Sequence, residues 1–310
     1  MPKIKVGVLR GGPSAEHEVS LLTGANVLKN LPSDKYQGQD ILISKEGKWS
    51  KMPKVDIVFN ALHGEYGEDG WAQAVLEERK LFYTGSGVKA SALAMNKWLA
   101  REFFQKAGLK IPPAVKIEKF LPGSAAEPKF SLPWIIKPVN RGSSVGISLV
   151  KNLSDFSPAL QKALQYDNSV LVEKFIIGQE ATAGVLENFQ GQKIFTLPVV
   201  EIIPPIQKNF FDYQCKYDGT SREICPGRFD KKTTLAIQKA AGLAHQILGC
   251  RDYSRTDLIV AKDGIYVLEV NTLPGLTQES LLPKAAAQVG CSFDQLLDHL
   301  LTLALERKGA

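Results

Sequence analysis

Residues 256–270 read TDLIVA-KDG-IYVLEV. An Asp-Gly step between two runs rich in β-branched and aromatic residues is a strong hairpin signal. A hairpin constrains the chain closely, because side chains alternate between faces and directly facing residues hold their Cβ atoms about 4.5–5.5 Å apart. With the turn centred on Asp263, Asp257 lies across from Glu269, and Arg255 and Asn271 fall in phase on the same face. Leu258, Val260, Tyr266, Leu268 and Val270 then make the opposite, core-facing side. Two facing carboxylates repel, and a cation between them removes that cost. Asp, Glu and Asn offer only oxygen, a donor set suited to Mg²⁺ or Mn²⁺ completed by water or phosphate oxygens. The competing reading is an exposed polar face with unrelated charges, since surface like-charge pairs are only mildly unfavourable. Spacing leaves both open, and a slip of one residue would turn one strand's side chains away from the ion.

The rest of the chain supplies a setting for that hairpin. KIKVGVLRGG is an apolar strand ending in Gly-Gly, followed by an amphipathic helix in EHEVSLLTGANVLKNL with Ser14 as a plausible cap. VDIVFNAL reads as a second buried strand, AQAVLEERK as a short helix and LFYTGSG as a strand entering a turn. Alternation of this kind predicts a parallel sheet with crossover helices, an α/β domain over residues 1–95. A helix in NKWLAREFFQKAGLKIPP, ended by Gly108 and the proline pair, opens a second, α+β unit over 96–178. Its strands are LPWIIKPV and SVLVEKFIIG, and Ser154 is placed to cap the helix LSDFSPALQKALQY. A third unit over 179–310 starts with strands EATAGVLE and KIFTLPVVEI and ends with two helices around the hairpin. Residues 204–229 lack clean periodicity, and a segment this long reads as a binding loop or lid, or as irregular surface.

Composition narrows the class. Of the 310 residues, 44% are hydrophobic and 23% charged, which suits a soluble globular chain with a sizeable core. The net charge of +6 is spread along the chain without a basic, aromatic-interleaved run. It reads as a solvated surface or, because several lysines sit inside the motifs below, as a site for anionic substrates such as nucleotide phosphates. The four cysteines show no CxxC spacing and no nearby histidine cluster, so reduced thiols in a cytoplasmic protein are expected. MPKIKVGVL reads as a strand rather than a leader, and no run of about 18 apolar residues suggests a membrane span.

Several smaller constellations carry chemistry. Lys137 precedes NRGSSVGIS, and a lysine beside a Gly/Ser loop can hold phosphates through its charge and backbone N–H groups, although such a loop alone is more often a flexible turn. It lacks the P-loop pattern. The first strand lacks GxGxxG, so a dinucleotide site is not expected there. HGEYGEDG at residues 63–70 reads as a loop at the carboxyl end of a strand, where α/β sites gather, and a lone His63 is more often structural than catalytic. Glu173 and Glu180 stand about one strand apart in VEKFIIGQE, where a carboxylate could take ribose hydroxyls or simply face solvent.

Taken in order, GGPSAEHEVSL, HGEYGEDG, YTGSG, MNK, IIKPVNRGSSVGIS, VEKFIIGQE, KYDGT, YSRTD and EVNTLPGLTQESLLP resemble the motifs of D-alanine–D-alanine ligases. Each is weak alone; nine in sequence from Gly11 to Pro283 are specific. The resemblance implies an ATP-grasp fold preceded by a Rossmann-like (pre-ATP-grasp) domain. The implied reaction is ATP-dependent joining of two D-alanines through an acyl phosphate, for peptidoglycan. By position, Lys97 and Lys137 resemble the lysines on the ATP phosphates, and Glu173, Lys174, Ile176 and Glu180 the adenine and ribose contacts. Asp257, Glu269 and Asn271 match the ligands of two Mg²⁺ or Mn²⁺ ions. Arg255 and the Gly275 N–H would stabilise an oxyanion, Glu16 would hold the first D-alanine's ammonium, and His63 would lie near the acyl phosphate. Ser280 and Leu281 would receive the second carboxylate. Ser143 and Tyr217 resemble a trio with Glu16 that closes the site, with Tyr217 in the lid. In related ligases that make D-Ala-D-Lac the lid tyrosine is replaced; here Lys216-Tyr217 is intact. A homodimer without nucleic-acid or membrane partners is implied. The short linker IEKFLPGSAAEPKF departs from the pattern in a spacer. The competing class is a nucleotide-binding regulatory protein without catalysis, which has no need of an oxyanion donor.

Overall fold

The computed structural model describes residues 2–119, 128–143, 145–204 and 221–309. Tyr217, Cys215 and most of the expected lid therefore lie outside the described residues, as does the middle of the IEKFLPGSAAEPKF linker.

Three sheets organise the chain. In the first, β1 (Ile4–Gly11) lies between β2 (Tyr36–Ile43) and β3 (Ile57–Asn60), with both neighbours parallel to it. Parallel sheets are covered on both faces and read as continuous apolar runs; Val6, Val8, Leu9, Ile57, Val58 and Phe59 are accordingly inaccessible. The helix His17–Asn30 and the chain's last helix, Phe293–Gly309, cover one face, sharing a core of Val6, Val8, Phe59, Leu297 and Leu301. The helix Trp71–Glu78 contributes Ala72 and Leu76 to the core on the other. The closing helix of the chain thus packs on its first sheet.

The second sheet is antiparallel, in the order β4 (Ala114–Glu118), β7 (Ser169–Lys174), β5 (Trp134–Pro138), β6 (Ser148–Val150). The helix Phe156–Ala163 seals one face through Phe156, Leu160 and Ala163 against Trp134, Ile136 and Val172. The third is antiparallel, in the order β11 (Arg222–Ile224), β10 (Val200–Ile203), β8 (Gln179–Phe189), β12 (Tyr253–Ala261), β13 (Gly264–Asn271). β9 (Gln192–Thr196) pairs with the far half of β8. The helix Lys231–Leu248 packs Ile237, Ala241 and Ala244 on this sheet, beside Phe104 of the helix Lys97–Lys106. Its ends follow from local chemistry. Asp230 accepts from the Thr233 amide at 2.9 Å, and Gly249 closes the helix at φ 69°.

Several expectations change. β2, β4 and β11 were not anticipated from the sequence; β11 lies within the stretch expected to be irregular loop. The segment LFYTGSG forms only a bridge between Val58 and Tyr83 rather than a strand. Ser14 does not cap the first helix. Its hydroxyl donates to the His63 carbonyl at 2.7 Å, and Glu16 occupies the N-cap position without a side-chain cap. Ser154 lies within a 3₁₀ turn, and Asp155 stands at the N-cap of the next helix.

The hairpin register is reached by a route the sequence did not suggest. The turn is two residues, Lys262-Asp263, with Ala261 opposite Gly264. Continued unchanged, that register would place Asp257 across from Leu268. A β-bulge between Asp257 and Leu258 inserts one residue on β13 and restores Asp257 opposite Glu269, with Arg255 opposite Asn271. The bulge also corrects the core face. Leu258, Val260, Ile265, Val267 and Val270 belong to the core beneath the long helix, whereas Tyr266 and Leu268 do not. Tyr266 pairs with Ile259, on the Asp257 face, and its hydroxyl donates to Asp263 at 2.6 Å.

Candidate active site

β8 and β13 flank β12, so Asp257 has a partner on each side. Glu269 faces it across one edge and Thr182 across the other. The Thr182 hydroxyl donates to Asp257 Oδ1 at 2.6 Å. Arg255 grips the same carboxylate with both arms, Nε to Oδ1 at 2.9 Å and NH2 to Oδ2 at 3.0 Å. A forked pair of this kind fixes the guanidinium plane. Glu269 is balanced by Lys97, whose Nζ lies 3.3 Å from Oε2. Asn271 accepts from the Leu273 amide at 3.1 Å, which bends the chain from the strand into the NTLPG turn. Glu180 lies on β8 two residues before Thr182, on the Asp257 face.

Lys97 begins a helix capped by Asn96, whose side chain accepts from the Leu99 amide at 3.0 Å. The start of that helix is pinned to the second sheet: the Lys97 amide bonds the Val139 carbonyl, and its Nζ bonds the Arg141 carbonyl at 2.6 Å. Lys97 therefore stands between the Gly/Ser loop and the hairpin.

A cavity of about 920 Å³ opens between the three sheets. Glu16, His63, Lys97 and Ser143 line it from one side; Arg255, Glu269, Asn271, Gly275, Ser280 and Leu281 line it from the other. Gly64 sits at φ +68° with its α-carbon so close to Glu16 that a Cβ there would lie 2.6 Å from Oε2. A Cβ on Gly142 would lie 3.5 Å from the same oxygen, so the Gly/Ser loop reaches the first helix here. Ser143 adopts φ 50°, a left-handed conformation that is uncommon for serine. Ser280 Oγ accepts from the Thr277 amide at 3.0 Å at the start of the helix Leu281–Ala287.

The adenine- and ribose-side expectations lie elsewhere. Glu173, Lys174, Ile176 and Glu180 are not among the cavity-lining residues, and neither are Lys137, expected at the phosphates, and Asp257, expected at the metal ions. Glu173 on β7 is buried, with Oε2 2.6 Å from Lys137 Nζ and Oε1 2.6 Å from Arg101 NH1. Arg101 was not singled out from sequence; its i+4 spacing from Lys97 was the available signal.

Glu68 was also missed. It lines the cavity beside His63, with Oε1 3.9 Å from Nδ1, and accepts the Gly64 amide at 2.9 Å. Burial, and then the neighbouring charge of Glu16, pushes its pKa up to about 8. Burial pushes His63 down from its ordinary value, and its Nε2 meets the Thr23 hydroxyl at 2.8 Å. Near neutral pH this corner holds an uncharged imidazole and a predominantly protonated carboxyl group. Lys284 lines the cavity beside Ser280 and Leu281, paired with Glu279 at 2.9 Å and Glu223 at 3.1 Å.

The donor set fits a hard cation. Two carboxylates and an amide oxygen meet on one sheet face, and among the described residues no group of three or more His, Cys, Asp or Glu gathers as a metal site. An ion held there keeps positions open for water and phosphate oxygens.

Two family models match the chain: D-ala D-ala ligase C-terminus over residues 103–302 and D-ala D-ala ligase N-terminus over residues 5–54. The D-alanine–D-alanine ligase of Syntrophobacter fumaroxidans is 43% identical, covering 98% of both chains. Among solved structures, the VanG D-Ala:D-Ser ligase of Enterococcus faecalis superposes with a TM-score of 0.87 at 31% identity, covering 98% of this chain and all of that one. The D-alanine–D-alanine ligase of Bacillus anthracis complexed with ATP gives 0.81 at 27% identity, covering 99% of each. The chain has the ATP-grasp fold and belongs to the D-alanine–D-alanine ligase family.

Proposed function

We propose that this protein joins two D-alanines to D-alanyl-D-alanine at the expense of ATP, as a step toward peptidoglycan. The first D-alanine carboxylate takes the γ-phosphoryl group, releasing ADP. The amine of the second attacks the acyl carbon, and phosphate leaves as the amide bond forms. The observation that carries this reading is the face of β12 and β13. It pairs Asp257 with Glu269 and Arg255 with Asn271 side by side, and Arg255, Glu269 and Asn271 line the cavity that also holds Glu16 and Ser280.

On this reading Glu16 receives the first ammonium group, and His63 lies beside the acyl carbon. Arg255, held flat by Asp257, and the Gly275 amide meet the oxyanion that develops there. Ser280 and Leu281 receive the second carboxylate. Lys97 and Lys137 take the phosphates, and Glu173, Lys174, Ile176 and Glu180 the adenosine. Asp257, Glu269 and Asn271 would hold two Mg²⁺ or Mn²⁺ ions, which supply neutralisation of phosphate charge during transfer. Ser143, Glu16 and Tyr217 would draw the 204–229 segment over the site and keep water from the acyl phosphate. A cytoplasmic homodimer acting without nucleic-acid or membrane partners completes the reading.

A second reading is a different acceptor in the second site, because a D-Ala:D-Ser ligase shares the fold at 31% identity. D-lactate is a third acceptor of the same fold. Phosphate release from ATP is measured with D-alanine alone and then with D-serine or D-lactate competing. Release dependent on D-alanine, with dipeptide unchanged by either competitor, supports the first reading. Preferential incorporation of D-serine or D-lactate at neutral pH replaces it.

A further inference from the structure

Among the described residues the ion group around Glu173 contains one anion and two cations, and the family's motifs account for only one of the cations. Arg101 lies one helical turn after Lys97, with its side chain 7% exposed, and Glu173's is 4% exposed. Arg101 NH1 donates to Glu173 Oε1 at 2.6 Å, and NH2 donates to the Pro112 carbonyl in the loop before β4. Lys137, 8% exposed, takes the other oxygen at 2.6 Å. Its strand β5 runs beside β7, and Ile135 faces Glu173, so Lys137 meets the carboxylate diagonally.

The bearing of these contacts on nucleotide binding rests on the ATP half of the proposed function. A lysine drawn onto a phosphate gives up part of its interaction with any carboxylate it neutralises. Were Lys137 the sole partner of Glu173, its departure would leave a buried carboxylate unpaired, a state that is strongly unfavourable. That cost would be subtracted from the affinity for every phosphate-bearing ligand. A guanidinium is always charged, and its planar fork holds a carboxylate and a carbonyl together. We infer that Arg101 is a nucleotide-positioning residue: the standing counter-ion of Glu173 that frees Lys137 for the phosphates of ATP. Arg101 itself touches no substrate.

The test is calorimetric titration of MgATP and of adenosine into wild type, Arg101→Met and Arg101→Lys. Arg101→Met is expected to weaken MgATP at least about tenfold, equivalent to about 1.4 kcal/mol. Adenosine carries no phosphate for Lys137, so its affinity is expected to stay within about twofold, and Arg101→Lys to recover most of the MgATP loss. In a Glu173→Gln background there is no charge to strand, so adding Arg101→Met is expected to change MgATP affinity by less than about twofold. That second comparison also serves if Arg101→Met alone fails to fold. Equal losses for MgATP and adenosine, unchanged MgATP binding in Arg101→Met, or a tenfold loss in the Glu173→Gln background would each overturn the inference. Binding is read without ligation. A wild type that binds MgATP yet forms no dipeptide refutes the proposed reaction alone; one that does not bind MgATP refutes both.

Discussion

Glu68→Gln should remove a pH-dependent penalty that the wild-type fold carries. Glu68 is buried against the cavity wall beside Glu16, which raises its pKa from the ordinary 4.5 to about 8. A carboxyl group raised in the folded state binds more protons there than in the unfolded chain between those two values. Stability therefore falls as pH climbs through that window and levels off above the folded value. At 1.36 kcal/mol per unit the whole penalty is about 5 kcal/mol. The part that develops between pH 6.5 and 8.5 is about 2 kcal/mol, and this range begins at the ordinary histidine value so that His63 contributes little across it. Glutamine keeps an oxygen to accept the Gly64 amide and removes the titration. Urea unfolding of both proteins across that range should show the stability difference, variant minus wild type, growing by about 2 kcal/mol toward high pH. A difference that stays constant across the window would refute the reasoning, because it would mean that Glu68 ionises in the fold as it does in water.

Glu269→Ala should abolish turnover while thermal unfolding stays near wild type, since Glu269 is partly exposed on a polar sheet face; unfolding instead would make its role structural. Gly64→Ala should lower the affinity for the first D-alanine, because the new Cβ would lie 2.6 Å from the Glu16 carboxylate and the backbone holds φ +68°; an unchanged KM for D-alanine would place that substrate elsewhere. Asp252→Ala should destabilise the protein by about 3–5 kcal/mol through the stranded Arg307 guanidinium and the unpaired Gly85 amide, and a loss under 1 kcal/mol by calorimetry would contradict the pairing.

The hairpin separates what the sequence makes legible from what it does not. Asp-Gly between β-rich runs announces the turn, and the four polar residues meet as expected. The bulge does not announce itself, because Leu268 is as apolar as its neighbours and period-2 counting cannot see an inserted residue. The pairing of Asp257 with Glu269 therefore held while the core assignment of Tyr266 and Leu268 did not. β2 was missed because YQGQDILI alternates poorly and carries a glycine; the sheet is completed by pairing with β1, which local pattern does not report. Ser14 looked like a cap because caps are local, but its hydroxyl is drawn to a carbonyl 49 residues away. Arg101 and Glu68 escaped for a related reason. A buried ion group and a raised carboxyl are made by residues distant in sequence, and the i+4 spacing of Arg101 from Lys97 shows a shared helix face without showing the carboxylate it meets.

The most direct test of the account is to incubate the purified protein with ATP, Mg²⁺ and D-alanine and to count products together. The account predicts ADP, phosphate and D-alanyl-D-alanine in equal amounts, with none of the three accumulating when D-alanine is withheld. Phosphate released at the same rate with or without D-alanine, or D-alanine-dependent phosphate without dipeptide, would contradict it.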